Sequence, residues 1–259
     1  MSETGGASIT STEAVVDVGV FTYLHAMDII LIPGFWLDAS SWGAVAPALE
    51  QAGHRVRALT LPGLESADAD RGSIGLRDHV AAVVTAVDEA GGPVVLVGHS
   101  GGGAVAHAAA DARPERVARV VYVDSLPLGD GQVINAELPV VDGEIPLPDW
   151  SAFGAEDLLD LDEGLREAFR AVAVPQPGAV ASDPQTLLDE RRYDVAATII
   201  ACEFSSDQLQ EWIARKEPWV AELAAIHDVE YVDLPTGHWP QFTKPEALAR
   251  AILAAVDRA

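Results

Sequence analysis

The sequence has a single cysteine and few basic residues. Cys202 has no partner for an intrachain disulfide, which is typical of a protein from a reducing compartment. Its apolar neighbours predict that Cys202 is buried like a small hydrophobic residue. The 16 lysines and arginines face 40 acidic residues, and the formal net charge is -24. Because this charge repels nucleic acid and anionic membrane surfaces, neither is expected as a partner.

Long apolar runs are also missing. No run approaches the roughly 20 residues that a membrane-spanning helix needs. The first 20 residues lack the basic start and the apolar core of a secretory signal. We therefore expect a cytoplasmic protein without a membrane partner. None of these features predicts an oligomeric state.

What the sequence has instead is an alternation of apolar, strand-like segments with helical segments. The predicted strands are 14–24, 28–32, 56–61, 93–97, 119–124, 196–202 and 229–234. The predicted helices are 40–51, 76–90, 101–112, 211–225 and 245–258. Strands that alternate with helices predict an α/β fold with a doubly wound, mostly parallel sheet.

One long stretch breaks this alternation. Residues 127–190 contain seven prolines and one helical patch near 157–172. Because long irregular segments usually serve function, we expect a cap over the carboxyl edge of the sheet, where open α/β sheets bind ligands. The predicted organisation is a flexible N-terminus at 1–13, a core formed by 14–126 and 191–259, and a cap at 127–190.

The most specific motif is a glycine-rich turn. In VVLVGHSGGGAVAHAAA, residues 94–110, an apolar strand runs into Gly98-His99-Ser100-Gly101-Gly102 and then into a helix. Gly-x-Ser-x-Gly between a strand and a helix is typical of a nucleophile elbow, a tight turn that exposes the serine hydroxyl. The N–H of Gly101, at the helix start, is then available to bind an oxyanion.

A dinucleotide-binding loop is the competing interpretation, because glycines follow a strand and Asp124 ends the next one. In the register that starts at Gly98, Ser100 replaces the second glycine and would obstruct a pyrophosphate. In the register that starts at Gly101, the glycines lie inside the helix. We therefore favour the nucleophile, and we predict no cofactor and no metal.

A serine hydroxyl needs a base within hydrogen-bond reach. Of seven histidines, His238 in YVDLPTGHWP follows the last predicted strand, at the carboxyl edge of the sheet. His99 is the variable residue between Gly98 and Ser100 in the Gly-x-Ser-x-Gly motif, and we expect it to pack beside the turn without a catalytic role. A second oxyanion N–H is expected from LIPGFWLDASSW, the loop after strand 28–32, where Phe35 or Trp36 would donate it.

With these motifs in this order, the chain resembles the α/β-hydrolase family over about residues 14–258, through IPGFW, GHSGG and GHWP. The resemblance implies a helical cap after the strand that the family counts as its sixth, which corresponds to 119–124, the fifth predicted strand of this chain. It also implies a serine hydrolase in which Ser100 is the nucleophile, His238 is the base, and Gly101 and Phe35 form the oxyanion hole. Many members begin the oxyanion loop with His-Gly, where this chain has Pro-Gly. A backbone donor survives that change.

Two residues compete for the role of catalytic acid. In most members the acid follows the strand before the last, but IIACEFSSD puts Cys202 at the usual glycine and Ser205 at the usual aspartate. Glu203 is expected to point elsewhere, and Asp207 could reach the histidine only if the loop bulges. Asp124 is preferred, because zearalenone-opening fungal lactonases, which the chain resembles here, carry a carboxylate at this strand end. Asp207 is the alternative.

The resemblance implies a serine esterase or lactonase that acts on a hydrophobic small molecule through an acyl-enzyme. A pocket under the cap would be lined by apolar side chains. The candidates are Trp36, Leu126, Trp150, Phe153, Trp212 and Trp239. A small-molecule receptor on the same fold and a C–C bond hydrolase are the alternatives. If His238 is the base, kcat/KM should fall on acidification near the reference pKa of about 6.5.

Overall fold

The computed structural model of the protein describes Met1 and residues 26–259. The predicted strand at 14–24 lies outside these residues, as does the predicted flexible N-terminus at 1–13, apart from Met1. In the described part of the chain, no helix is long and apolar enough to cross a membrane.

Strands and helices alternate along the described chain, with irregular connections between them. The strands are β1 (Asp28–Ile32), β2 (Arg55–Ala58), β3 (Val94–His99), β4 (Val117–Val123), β5 (Glu144–Ile145), β6 (Gln176–Pro177), β7 (Ala196–Ala201) and β8 (Val229–Asp233). The helices are α1 (Ala46–Gln51), α2 (Leu76–Glu89), α3 (Gly101–Ala112), α4 (Glu163–Val172), α5 (Gly178–Ser182), α6 (Ser206–Ala214), α7 (Ala221–Ala225), α8 (Pro240–Thr243) and α9 (Pro245–Val256).

Six strands form one parallel sheet in the order β2-β1-β3-β4-β7-β8. β3 lies inside the sheet, and all six of its residues are buried. This burial explains its continuous apolar run, since a strand covered on both faces needs no polar alternation. The predicted doubly wound α/β fold is confirmed. Parallel strands end at the same edge, so the loops after β1, β3, β4, β7 and β8 can meet there.

Alternate residues of the strands pack on opposite faces of this sheet. Leu96 of β3 joins the apolar cluster that contains Val83 of α2 and Val105 of α3. Its neighbour Val97 joins the cluster that contains Ile252 of α9. The period of two along a strand therefore sends successive side chains to two helical layers. This packing fixes the level at which each strand ends.

Two predicted helices are broken. The helix predicted at 40–51 is a 3-10 turn at Ala39–Trp42 followed by α1, because Pro47 fits only in the first turn of a helix. The helix predicted at 211–225 is α6, a 3-10 turn at Pro218–Val220, and α7. Here Lys216 has a φ of 57° and Pro218 cannot continue a helix.

Residues 127–190 follow β4, the fourth of the described strands. They hold the antiparallel pair β5–β6 and the helices α4 and α5. The helical patch predicted at 157–172 is shorter, because Asp162 caps α4 by accepting the N–H of Leu165. The segment is hydrogen-bonded to the sheet edge, since the N–H of Val174 donates to Trp36 O and the N–H of His238 donates to Asp157 O. Its description as a cap domain remains a prediction.

Candidate active site

Ser100 occupies the turn between β3 and α3. Its φ of 52° and ψ of -127° are strained for a residue with a side chain. The turn is so tight that a Cβ on Gly98 would lie 2.5 Å from the carbonyl oxygen of Gly102. The N–H of Ser100 donates to Val123 O at 3.1 Å, which ties the turn to the end of β4. This geometry matches the predicted nucleophile elbow and lifts the hydroxyl above the sheet edge.

The structure brings Ser100, His238 and Asp124 together in one hydrogen-bonded chain. The Ser100 hydroxyl lies 2.8 Å from His238 Nε2, and His238 Nδ1 lies 2.7 Å from Asp124 Oδ2. Because a carboxylate only accepts, Nδ1 carries the hydrogen and Nε2 accepts from the serine. This is the arrangement that a base needs in order to take the serine proton.

Asp124 is fixed by the strand next to its own. It follows β4 with a φ of 43°, and its Oδ1 accepts the N–H groups of Cys202 at 3.0 Å and of Glu203 at 3.1 Å. Burial by itself would raise the pKa of Asp124. The hydrogen bond from His238 and the two N–H groups outweigh burial and hold that pKa below its ordinary value. The carboxylate therefore stays ionised beside the imidazole.

Asp207 is not brought to the histidine. Among residues 26–259, the carboxylates within 4.0 Å of the His238 ring are those of Asp124 and Glu203. The side chain of Ser205 caps α6 by accepting the N–H of Gln208, so that Asp207 lies in the first helical turn. The short connection 202–205 thus leads from β7 into α6 without the bulge that Asp207 would need.

Glu203 is a residue beside the base that sequence reasoning missed. The expectation that it points away from the site is wrong, because its Oε2 lies 3.5 Å from His238 Nδ1. Its other oxygen, Oε1, is buried without a hydrogen-bond partner among the described residues. Burial raises the pKa of Glu203 to about 7, with Asp157 and Asp124 acting in the same direction and His238 against it. An acidic residue directly after the predicted strand 196–202 was the only signal in the sequence.

The two carboxylates set the basicity of His238. Burial alone would lower the pKa of the imidazole, but the hydrogen bonds and charges of Asp124 and Glu203 outweigh it and raise that pKa above its ordinary value. The expectation of a pKa near 6.5 is therefore corrected upward.

His99 does more than pack beside the elbow. Its Nε2–H donates to the carbonyl oxygen of His238 at 2.6 Å, and its Nδ1 lies 3.2 Å from the Gln241 amide nitrogen. Burial lowers the pKa of His99 to about 3, so the ring is neutral. A neutral ring can donate through one nitrogen, Nε2, and accept through the other, Nδ1. His99 thus links the nucleophile turn to the backbone of the base, a role that no sequence signal indicated.

The two N–H groups predicted for the oxyanion hole lie at the same edge. No protein acceptor within residues 26–259 takes the N–H of Gly101 or of Phe35, and both residues line the cavity beside Ser100. Gly34 packs against the elbow so closely that a Cβ there would lie 2.6 Å from His99 Nδ1. The backbone at Phe35 is therefore held next to Ser100. The backbone N–H of Trp36 remains the alternative donor, while its indole N–H is bonded to Ile145 O at 3.0 Å.

A cavity of about 640 Å³ opens above Ser100 and His238. Of the six predicted pocket residues, Trp36, Leu126 and Phe153 line it. Sequence reasoning missed several residues of the 127–190 segment that also line it. They are Leu128, Ile134, Asn135, Leu138, Pro139, Pro148, Ala152 and Asp157.

The other three predicted pocket residues do not line the cavity. Trp239 is 1 % exposed and packs edge-on against Phe153, behind the wall. Trp150 packs against the same two rings, because aromatic side chains of the segment cluster with one another. Trp212 lies on α6 and packs against Phe204 and Trp219. These three predictions are corrected.

Asp124, Glu203 and His238 are the ligand-type residues that the described structure brings together, within 4.8 Å of one another. Both oxygens of Asp124 already accept N–H groups, and His238 Nδ1 carries the hydrogen that donates to Oδ2. The set suits proton handling better than ion binding, since a metal would have to displace these hydrogens.

The parallel sheet and the serine on its strand-to-helix turn define a class of protein. The chain belongs to the alpha/beta hydrolase family, whose model matches residues 29–251.

Several known proteins are similar to it over most of their length. A pyrethroid hydrolase from Sphingobium wenxiniae is 28% identical over 253 residues, which cover 89% of this chain and 88% of the relative. The crystal structure of a pyrethroid hydrolase from Sphingobium faniae is 25% identical, with a TM-score of 0.65, and the match covers 90% of this chain and 98% of that one. A methylesterase from Arabidopsis is 16% identical with a TM-score of 0.71, covering 90% and 100%, and it shows the shared fold.

Proposed function

We propose that this protein is a serine hydrolase that cleaves the ester or lactone bond of a hydrophobic small molecule through an acyl-enzyme. The observation that carries the proposal is the chain from Ser100 Oγ through His238 to Asp124, with distances of 2.8 and 2.7 Å, at the floor of a large cavity. The pyrethroid hydrolases and the methylesterase support ester hydrolysis as the reaction class.

In the first half of the reaction, Ser100 Oγ attacks the ester carbonyl carbon while His238 Nε2 takes the hydroxyl proton. Asp124 keeps the ring oriented and stabilises the imidazolium. The N–H groups of Gly101 and Phe35 donate to the oxyanion of the tetrahedral intermediate. The intermediate collapses when His238 returns the proton to the leaving alcohol oxygen, which leaves an acyl group on Ser100.

In the second half, water attacks the acyl carbon and gives a proton to His238. The second tetrahedral intermediate collapses, the carboxylic acid leaves, and the proton returns to Ser100 Oγ. With a lactone, the alcohol and the acid remain parts of one product. Ser100 and His238 carry every proton transfer between the substrate and this water.

The cavity wall selects the substrate. Five of the lining side chains present apolar surface to the cavity. They are Leu126, Leu128, Ile134, Leu138 and Phe153. Among the described lining residues none is lysine or arginine, and Asp157 adds a carboxylate. An anionic substrate would therefore lose its hydration without gaining a counter-charge. We infer an uncharged, hydrophobic ester or lactone of drug-like size.

Turnover of p-nitrophenyl butyrate tests the proposal. The wild-type protein should release p-nitrophenol, and Ser100→Ala should lose at least about 10³-fold in kcat. Ser73→Ala is the matched control, because Ser73 is exposed and does not line the cavity. Wild-type turnover in Ser100→Ala would contradict the proposal. Tight binding of apolar esters without turnover would instead identify a receptor, and cleavage of a C–C bond alone would identify the third alternative.

A further inference from the structure

Two carboxylates, not one, face the proton-bearing nitrogen of His238. Asp124 reaches Nδ1 at 2.7 Å from the end of β4, and Glu203 reaches it at 3.5 Å from the end of β7. We propose that Glu203 is a second positioning residue, which holds His238 in its serine-facing orientation together with Asp124 and takes over the Nδ1–H when Asp124 cannot accept it. This inference rests on the proposed function, because it treats His238 as the base of Ser100.

Folding does not explain where the Glu203 side chain lies. Its side chain is 20 % exposed, and no N–H or hydroxyl group of the described residues donates to its buried Oε1. The Asp157 carboxyl can share a hydrogen bond with Glu203 only while one of the two groups is protonated, and this raises the pKa of Glu203. An ionised, buried carboxylate oxygen that receives no donor and lies beside a second carboxyl group destabilises a fold rather than supporting it. The structural contribution of Glu203 comes instead from its backbone N–H, which donates to Asp124 Oδ1 at 3.1 Å. A substitution of the side chain leaves that bond in place.

The geometry also explains how Glu203 can replace Asp124. With asparagine at 124, the amide could donate to Nδ1 and trap the imidazole in the wrong tautomer. Glu203 keeps an acceptor beside the same nitrogen, and a small movement of its side chain brings Oε2 within hydrogen-bond range. The serine-facing tautomer then survives in part.

Three titratable groups face the Glu203 carboxyl from the elements around it. They are Asp124 after β4, His238 on the loop before α8, and Asp157 in the 127–190 segment. The adjacent Cys202 thiol is buried, which raises its pKa and keeps it uncharged. Glu203 and His238 consequently titrate as one cluster, and Glu203 contributes negative charge mainly above neutral pH.

The test compares Asp124→Asn, Glu203→Gln and the double variant, with kcat and KM for p-nitrophenyl butyrate measured across pH. A triad with one carboxylate loses about 10⁴-fold in kcat when that carboxylate becomes an amide. We expect Asp124→Asn to lose only about 10²-fold, and the double variant to fall to the full loss of about 10⁴-fold. Asp207→Asn, a neighbouring acid without contact to His238, is the matched control and should keep wild-type kcat.

Glu203→Gln alone should retain most of the kcat at high pH. It should move the midpoint of the acid limb of kcat/KM to lower pH by about one pH unit, since His238 loses one negative neighbour. Its melting temperature should not fall, whereas a merely structural residue would lower melting without moving the pH profile. A double variant equal to Asp124→Asn, or an acid limb that stays in place in Glu203→Gln, would overturn the inference.

A measurement on the unmodified protein keeps the test independent of variant folding. The carboxyl ¹³C shift of Glu203 should follow a titration near neutral pH in step with the His238 ring nitrogens. A Glu203 carboxyl that titrates alone in the ordinary glutamate range would refute the inference. If Ser100→Ala loses turnover but the Glu203 substitutions change neither kcat nor the pH profile, only this inference is refuted and the proposed function stands. Full turnover in Ser100→Ala would remove the proposed function with it.

Discussion

Asp124 and Glu203 reach the same imidazole nitrogen from two neighbouring strands, β4 and β7. Asp124 is fixed by two N–H groups from the start of the loop after β7, so each strand end organises the other. The backbone N–H of Ser100 donates in turn to the carbonyl oxygen of Val123, the residue before Asp124. The site is therefore built from backbone hydrogen bonds before any substrate enters, which is the preorganisation that catalysis needs.

The pH dependence follows from the charges on His238. A base must be neutral to accept the serine proton, and a raised pKa keeps His238 protonated up to a higher pH. We therefore expect kcat/KM for an uncharged ester to fall on acidification with a midpoint above 6.5, the ordinary histidine value. A pH profile at constant ionic strength measures it. A midpoint at or below 6.5 would show that the two carboxylates do not act on the base.

His99 offers a test of how the base is held. His99→Leu removes the donor to His238 O and the partner of Gln241. Two buried polar groups would lose their partners, and we expect the free energy of unfolding to fall by about 1–3 kcal/mol. Because the loop of the base loosens, kcat should fall more than KM rises. Equal urea midpoints and equal kcat values would contradict this role.

At the scale of elements, the elbow depends on the close approach of β3 and α3. Gly98→Ala would place a Cβ 2.5 Å from Gly102 O, a backbone atom that cannot move aside. We expect a loss of at least about 2 kcal/mol in the free energy of unfolding. Gly91→Ala is the control, because a Cβ there meets nothing within 4 Å. Equal stability of the two variants in urea would show that the turn is looser than described.

The 127–190 segment supplies much of the cavity wall. Leu138→Trp adds volume to a lining position and should raise KM for p-nitrophenyl esters with long acyl chains by about 10-fold, while p-nitrophenyl acetate is little affected. Trp212→Phe is the comparison, because Trp212 packs on α6 away from the cavity. If both variants leave the chain-length dependence unchanged, the segment does not select the substrate.

At the scale of the whole molecule, the sequence predicted the framework and part of the site. Apolar runs, glycine stops and the strand-to-helix turn were enough for the α/β fold and for Ser100 and His238 as candidates. The choice between Asp124 and Asp207 needed coordinates, because it depends on how the chain leaves β7. Ser205 caps α6 at once and keeps Asp207 in the helix.

Other features depend on side-chain directions that periodicity does not encode. Glu203, which lies just beyond β7, faces the imidazole because its backbone N–H donates to the Asp124 carboxylate, which lies just beyond β4. Trp150 and Trp239 look like pocket residues in the sequence, but in the structure they pack against Phe153 and against each other. Aromatic residues in an irregular segment can bury one another as readily as they can face a ligand.

A fluorophosphonate probe tests the central claim most directly, because it reacts only with a serine that a neighbouring base activates. Labelling followed by peptide mass spectrometry should place one adduct on Ser100, at a rate that falls at least about 10³-fold in His238→Ala. Labelling that is absent, that falls on another residue, or that proceeds equally without His238 would contradict the account.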